Sequence, residues 1–291
     1  MSSEINRKLK QLVDGRNAVL VPGVANALAA RVVEDLGFEA VYLSGAGLAN
    51  TFLGLPDLGF VSLPELVQHT AAIRDVVKLP IVVDADTGFG NALNVRHTIQ
   101  ALERAGASAV QLEDQVSPKR CGHFEGKSVI ATDEMAGKIR AAVDARSDAN
   151  LLIIARTDAR ATLGLAAAID RAQAYIEAGA DLTFVEAPES REELAAVARQ
   201  LRVPQVVNMV VGGKTPIVDL AELRQAGFAV VLYANAALQG AVHGMQIALR
   251  QLKQTGRLDE TAPVASFRER QRLVRKDAFD DLEKRYASRS E

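Results

Sequence analysis

Eight short apolar runs recur along the chain, each followed by a segment with helical spacing. This repeat constrains the fold more than any other feature. The runs are AVLVPG (18–23), AVYLSG (40–45), LPIVVDAD (79–86), AVQLED (109–114), LLIIARTDA (151–159), DLTFVEA (181–187), PQVVNMV (204–210) and FAVVLYA (228–234). Each is rich in Val, Ile or Leu and nearly continuous rather than alternating, as parallel strands buried on both faces require. The intervening segments, such as VRHTIQALERAG and GLAAAIDRAQAYIEAG, carry apolar residues at helical spacing and end on glycine, a C-cap position. Eight βα units in one regular series predict a (β/α)8 barrel of the TIM type, with a doubly wound open sheet as the alternative. The 291 residues suit one barrel of about 250 residues plus extensions, so 1–291 reads as a single α/β-barrel domain. After Tyr233 the pattern is helical, and 236–291 reads as an extension of the barrel. Its last segment is charged with a thin apolar stripe of Phe267, Leu273, Phe279, Leu282 and Tyr286. A free surface helix and docking on a neighbouring subunit both explain that stripe.

Bulk composition excludes several classes. Net charge is −2 with no evident basic face, so nothing points to nucleic acid. No run approaches the roughly 20 apolar residues of a membrane span, and the polar N-terminus lacks the apolar core of a signal peptide. A single cysteine excludes an intrachain disulfide and suits a reducing compartment. A cytoplasmic protein is expected.

In barrels of this kind the active site lies at the C-terminal ends of the strands. The proposed strands end on Ser44-Gly45-Ala46-Gly47, Asp84 and Asp86, Glu113 and Asp114, Arg156 and Asp158, Glu186, Asn208, and Tyr233 with Asn235. So many polar groups on one rim are the strongest site signal in the sequence. Asp84 and Asp86 are expected to flank one cation where their strand ends, because hard carboxylate oxygens suit Mg²⁺ or Mn²⁺. Turn and capping carboxylates are the alternative. Glu113, one strand on, and Asp57 in LGLPDLGF favour an acidic pocket for one divalent cation. Arg156 can clamp a carboxylate or form a structural ion pair with Asp158 or Glu186. The Ser44–Gly47 turn can offer backbone N–H groups to an anion. An acidic pocket with a cation beside an arginine suits a small anionic 2-oxo or 2-hydroxy acid.

The lone cysteine lies in K-R-C-G-H, Lys119 to His123. Lys119 and Arg120 can lower the pKa of a nearby thiol or bind an anionic substrate, and Gly122 lets the backbone bend over a ligand. Cys121 can act as a nucleophile or as a general acid. Residues from about Val116 to Ile130 are numerous and polar enough for a lid. A surface loop with an incidental thiol is the bland alternative.

The motifs Y-L-S-G-A-G, L-G-L-P-D-L-G, V-D-A-D-T-G-F-G, L-E-D-Q-V-S-P-K-R-C-G-H, I-I-A-R-T-D-A, F-V-E-A and N-M-V-V-G-G-K-T-P together resemble the isocitrate lyase/phosphoenolpyruvate mutase superfamily over nearly the whole chain. The resemblance implies an α/β barrel whose C-terminal helix is exchanged with a neighbouring subunit in a homotetramer, a dimer of dimers. It implies Asp84 as the direct Mg²⁺ ligand, with Asp57, Asp86 and Glu113 holding metal-bound waters. Ser44, Gly45 and Ala46 then bind the pyruvoyl end of the substrate with Arg156, and Tyr42, Glu186 and Asn208 line the pocket. Lys119, Arg120, Cys121, Gly122 and His123 match the loop of the carbon–carbon lyases, with Cys121 as the acid that protonates the departing carbanion. Tyr42 or a metal-bound water is the implied base. Phe124 stands where 2-methylisocitrate lyases commonly carry arginine, which implies a substrate with fewer carboxylates. V-E-A-P and G-G-K-T-P look more like the 2-alkylmalate and 2,3-dimethylmalate lyases. The carboxyphosphonoenolpyruvate mutases share K-R-C-G-H, so phosphonate chemistry stays open. Ala234 replaces the serine usual in the family's oxaloacetate hydrolases, which puts that activity in doubt.

Overall fold

The computed structural model describes residues 2–122, 124 and 126–287. Eight parallel strands form a closed barrel in sequence order. They are β1 Val19–Val24, β2 Val41–Leu43, β3 Ile81–Asp84, β4 Ala109–Glu113, β5 Leu152–Thr157, β6 Leu182–Val185, β7 Gln205–Asn208 and β8 Val230–Tyr233. β1 closes on β8 with Val19 opposite Val230 and Pro22 opposite Tyr233. All eight expected strands are present, and closure decides against the open sheet. Seven of them are shorter than their apolar runs, and Asp84, Glu113, Arg156 and Asn208 still pair in the ladder at the rim.

The two-residue period of a strand sorts the core. Val19, Val21, Tyr42, Val82, Leu152, Ile154, Phe184 and Leu232 fall in one buried cluster. The alternate residues Val41, Leu43, Ile81, Val83, Val110, Leu112 and Ile153 pack with residues of the surrounding helices. Leu9 and Val13 of the first helix join the first cluster, which places that helix across the N-terminal end of the barrel. Extending the inward series by two residues leads to Ser44, Asp84, Glu113, Arg156, Glu186 and Asn208. One face per strand therefore supplies both the packed core and the polar rim.

Gly23 near the end of β1 has a steric reason. A Cβ built on it would lie 2.0 Å from the carbonyl oxygen of Ala234, on backbone that cannot swing aside. Overpacking of this kind costs about 1–3 kcal/mol. Gly23→Ala should lower the thermal midpoint by several degrees; an unchanged melt would show that the end of β8 yields.

The C-terminal part is helical, over Ala236–Thr255, Phe267–Leu273 and Lys276–Tyr286. The charged terminal segment, expected as one helix, breaks at Arg275, whose φ is 57°. Its Nη2 lies 3.3 Å from Glu34. Arg272 adds a two-pronged pair with Asp35, at 2.7 and 2.6 Å, so this extension rests on the helix Ala27–Asp35 of its own barrel. None of the three C-terminal helices contains a buried residue. Among the described residues no helix is long and apolar enough to cross a membrane.

Candidate active site

At the C-terminal rim a pocket is lined by Tyr42, Ser44, Ala46, Asp57, Asp84, Lys119, Arg120, Cys121, Gly122, Arg156, Glu186 and Asn208, with Ala234 and Asn235. Twelve of the sequence-derived site residues thus share one wall. Its enclosed space is about 30 Å³, room for about two waters. A dicarboxylic acid needs more room than this. A larger cleft of about 640 Å³ lies between Lys8, Phe38 and Arg224 at the other end of the barrel. All its titratable residues are exposed, and it offers none of the chemistry of the rim.

The acidic half of the pocket surrounds one ammonium. Lys119 Nζ donates to Asp57 Oδ1 at 2.5 Å and lies 2.9 Å from Asp86 Oδ1. Burial alone would push Lys119 down, but the carboxylates of Asp86, Glu113, Asp84 and Asp57 outweigh it and hold the ammonium well above its usual range. Asp86 is pushed up to about 7 by burial, with Asp84 and Asp57 adding to the effect and Lys119 opposing it. Its φ of 48° follows the end of β3 at Asp84. Residues two apart share a face of an extended strand, so plain extension would keep Asp86 on the same side as Asp84. The turn after Asp84 instead aims Asp86 at Lys119. A Cβ on Gly45 would lie 3.0 Å from Asp86 Oδ1 and 3.3 Å from Asp84 Oδ2, so the glycine lets both carboxylates approach.

A divalent cation can be tested against this donor set. Four hard carboxylates, Asp57, Asp84, Asp86 and Glu113, are all buried, and Glu113 Oε1 has no hydrogen-bond partner. Among the described residues no three ligating side chains converge on one point. Mg²⁺ needs no such cage: it binds through one or two carboxylates and keeps several waters. The residues fit a hydrated hard cation in the place where Lys119 Nζ now supplies the positive charge.

Arg156 makes the structural ion pairs expected of one reading and lies on the pocket wall as the other requires. It lines the pocket and also pairs with Asp158 (Nε–Oδ2 2.9 Å), Glu113 (3.2 Å) and Glu186 (3.4 Å), with its guanidinium 5.3 Å from the centre of the Phe184 ring. Tyr42 is buried and accepts a hydrogen bond from Gln111 Nε2, which also donates to Asp84 Oδ1 (3.1 and 3.2 Å). Burial, and then the charge of Asp84, hold the Tyr42 phenol well above its usual range. Held in this range it keeps its proton here and can donate a hydrogen bond toward the pocket. The Ser44 turn spends two of its N–H groups internally: Gly47 donates to Ser44 Oγ (3.1 Å) and Gly45 to Asp84 Oδ2 (3.4 Å). The hydroxyl proton of Ser44 remains to donate into the pocket.

The cysteine segment is held down at several points. Cys121 N donates to the Asp57 carbonyl (3.2 Å) and Phe124 N to the Cys121 carbonyl (2.8 Å). Gln115 holds Arg120 through both backbone groups, at 2.8 and 2.9 Å. Phe124 is 44% exposed and does not line the pocket. Asp86 and Glu113 sit behind the wall, and His123 lies outside the described residues.

The comparisons with known proteins now bear on this geometry. The family model described as phosphoenolpyruvate phosphomutase matches residues 9–253. The chain belongs to the isocitrate lyase/phosphoenolpyruvate mutase superfamily. It is 46% identical over 248 residues to the 2-methylisocitrate lyase of Aeropyrum pernix, covering 85% of this chain and 80% of that one. It is 40% identical over 285 residues to the 2,3-dimethylmalate lyase of Eubacterium barkeri, covering 97% and 98%. A crystal structure of phosphonopyruvate hydrolase in complex with oxalate and Mg²⁺ superposes with a TM-score of 0.87 at 31% identity, over 97% of this chain and 98% of that one. The chain is an enzyme of the superfamily, and the relatives support a carbon–carbon lyase.

Sequence reasoning missed part of what this superfamily member places around its site. Gln111 is inward because it lies two residues before Glu113 on β4, a signal the period carried. Asp114 faces the other way. It accepts from Thr157 Oγ1 (2.7 Å), Tyr175 Oη (2.8 Å), Arg171 Nη1 (3.1 Å) and Asp158 N (2.9 Å), locking the end of β4 to the end of β5. Asp158 in turn holds Arg156 and Lys127. Burial would raise its carboxyl, but Arg156 and Lys127 bring it down to about 2. A depressed carboxyl stabilises the fold above its unfolded value of 3.8 and loses that contribution as pH falls toward 2, here about 2 kcal/mol. The gap in thermal midpoint between the wild type and Asp158→Asn should therefore be constant above about pH 5 and narrow below pH 4. A gap independent of pH would exclude this ion-pair contribution.

Proposed function

We propose that the protein is a Mg²⁺-dependent lyase that cleaves a substituted 2-hydroxy dicarboxylate, of the alkylmalate, dimethylmalate or methylisocitrate type, to a 2-oxo acid and a carboxylate. The observation that carries this reading is the meeting of Cys121, Arg156, Asp57 and Asp84 on one pocket wall. When bound, the cation would polarise the carboxylate and the 2-oxygen of the substrate and stabilise negative charge there. Asp84, with Asp57, Asp86 and Glu113, would hold it. Arg156 and the Ser44 hydroxyl orient the same end, and Tyr42 donates toward the 2-oxygen. The hydroxyl proton leaves to a pocket water beside the rim carboxylates, the C2–C3 bond breaks, and its electrons pass to the departing fragment. The Cys121 thiol gives that fragment its proton. The Lys119–Gly122 segment lines the pocket and leaves little room for water, which would compete for the carbanion.

The test is 2-oxo acid release with Mg²⁺ from 2-methylisocitrate, 2,3-dimethylmalate, 2-ethylmalate and oxaloacetate, each repeated with excess chelator. Chelator-sensitive oxo acid from a substituted malate is the expected result. Silence on every hydroxy acid would overturn the reading and bring phosphonate substrates forward.

Assembly belongs to the same proposal. The helix Ala236–Thr255 exposes Val242, Met245, Ile247, Leu249 and Leu252, and Phe267 and Phe279 follow. A second copy would cover these side chains, as expected for a dimer of dimers with exchanged C-terminal helices. Light scattering on the full chain should give a tetramer; a monomeric mass would refute it.

A further inference from the structure

One buried cation has no part in the scheme above. Lys127 lies beyond the cysteine, near the neck of its loop, where Gln115 bridges Val129 and Val116 N donates to the Ser128 carbonyl (2.9 Å). Its Nζ is 2.8 Å from Asp158 Oδ1, and the two side chains are 1% and 0% exposed. The same Nζ donates to the Gly122 carbonyl. Asp158 meanwhile accepts from Arg156 Nε (2.9 Å) and Nη2 (3.2 Å). One carboxylate thus holds a pocket cation and a loop cation together. Gly122 is pressed onto the same group: a Cβ there would lie 2.4 Å from Arg156 Nη2 and 2.7 Å from Glu186 Cδ. Burying an ammonium requires compensation by charge and hydrogen bonds, and these two partners supply it.

We propose that Lys127 is a positioning residue: it ties the Gly122 carbonyl to Asp158, and so sets Cys121 over the pocket and aims Arg156 at the substrate in one arrangement. The turnover part of this inference rests on the lyase reading; the geometric part does not.

The chain has one cysteine, so alkylation by iodoacetamide reports Cys121 alone. Lys127→Met, Lys127→Gln and Lys127→Arg would be compared with the wild type for alkylation rate, for oxalate binding with Mg²⁺ by calorimetry, and for kcat and KM. Lys127→Met should alkylate several-fold faster, bind oxalate more weakly, and lose about 10²-fold in kcat, the scale expected for a catalytic group misplaced by about 1 Å. Lys127→Arg, which can span both partners, should restore all three toward wild type. If Lys127→Met does not fold, Lys127→Gln takes its place; it keeps a donor for Gly122 but lacks the charge for Asp158. A folded variant with wild-type alkylation and wild-type oxalate binding would overturn the proposal. A wild type that turns over no panel substrate would sink the lyase reading alone, since alkylation and oxalate binding would still decide the role of Lys127.

Discussion

Cys121→Ser should lose 10²–10⁴-fold in turnover while folding and binding normally. The range is that of removing one positioned general acid. Serine replaces sulfur by a far weaker acid at nearly the same volume. The contacts that seat Cys121 are made by its backbone, N–H to the Asp57 carbonyl and carbonyl to Phe124 N, and serine keeps both. Oxalate affinity and thermal midpoint should therefore stay at wild-type values while kcat collapses. Turnover equal to wild type would remove Cys121 from the chemistry. Loss of oxalate binding along with turnover would instead mean that the segment had lost its seat.

Arg156→Gln should damage stability and binding together. Arg156 is buried among Asp158, Glu113 and Glu186. Those carboxylates and burial act in opposite directions on it, and the carboxylates prevail, holding its charge well above the usual range. Its removal leaves Lys127 as the cation beside Asp158 and strands buried negative charge. Breaking such a cluster costs about 3–5 kcal/mol, a fall in thermal midpoint on the order of 10 °C. Charge-assisted bonds to the substrate carboxylate, worth about 1.5–3 kcal/mol each, disappear as well. Arg156→Lys separates the two effects: it keeps the charge but not the fork geometry. Stability should largely return while KM stays raised. Full recovery of KM with lysine would reduce Arg156 to a structural counter-charge.

The sequence by itself determined the barrel and the membership of its rim. Both follow from one local rule, the two-residue alternation of a strand. Val82 leads to Asp84, Gln111 to Glu113, Ile154 to Arg156 and Phe184 to Glu186, each two residues on along a face that closure turns inward. Eight repeats of that rule place the polar ends together without any knowledge of the loops. The same alternation sends Asp114 outward, one residue from Glu113, to lock β4 to β5.

Only the tertiary structure decided what the loops do at that rim. Lys119 reaches Asp57, 62 residues away, and Lys127 reaches Asp158, 31 residues away. No periodicity carries such contacts. They depend on where a polar loop comes to rest, which is set by the few places where a buried ammonium finds enough carboxylate to offset its lost hydration. Phe124, read as a substrate contact from the resemblance, is 44% exposed where its loop comes to rest. Lys127 is buried because Asp158 and the Gly122 carbonyl offer it two acceptors in one place.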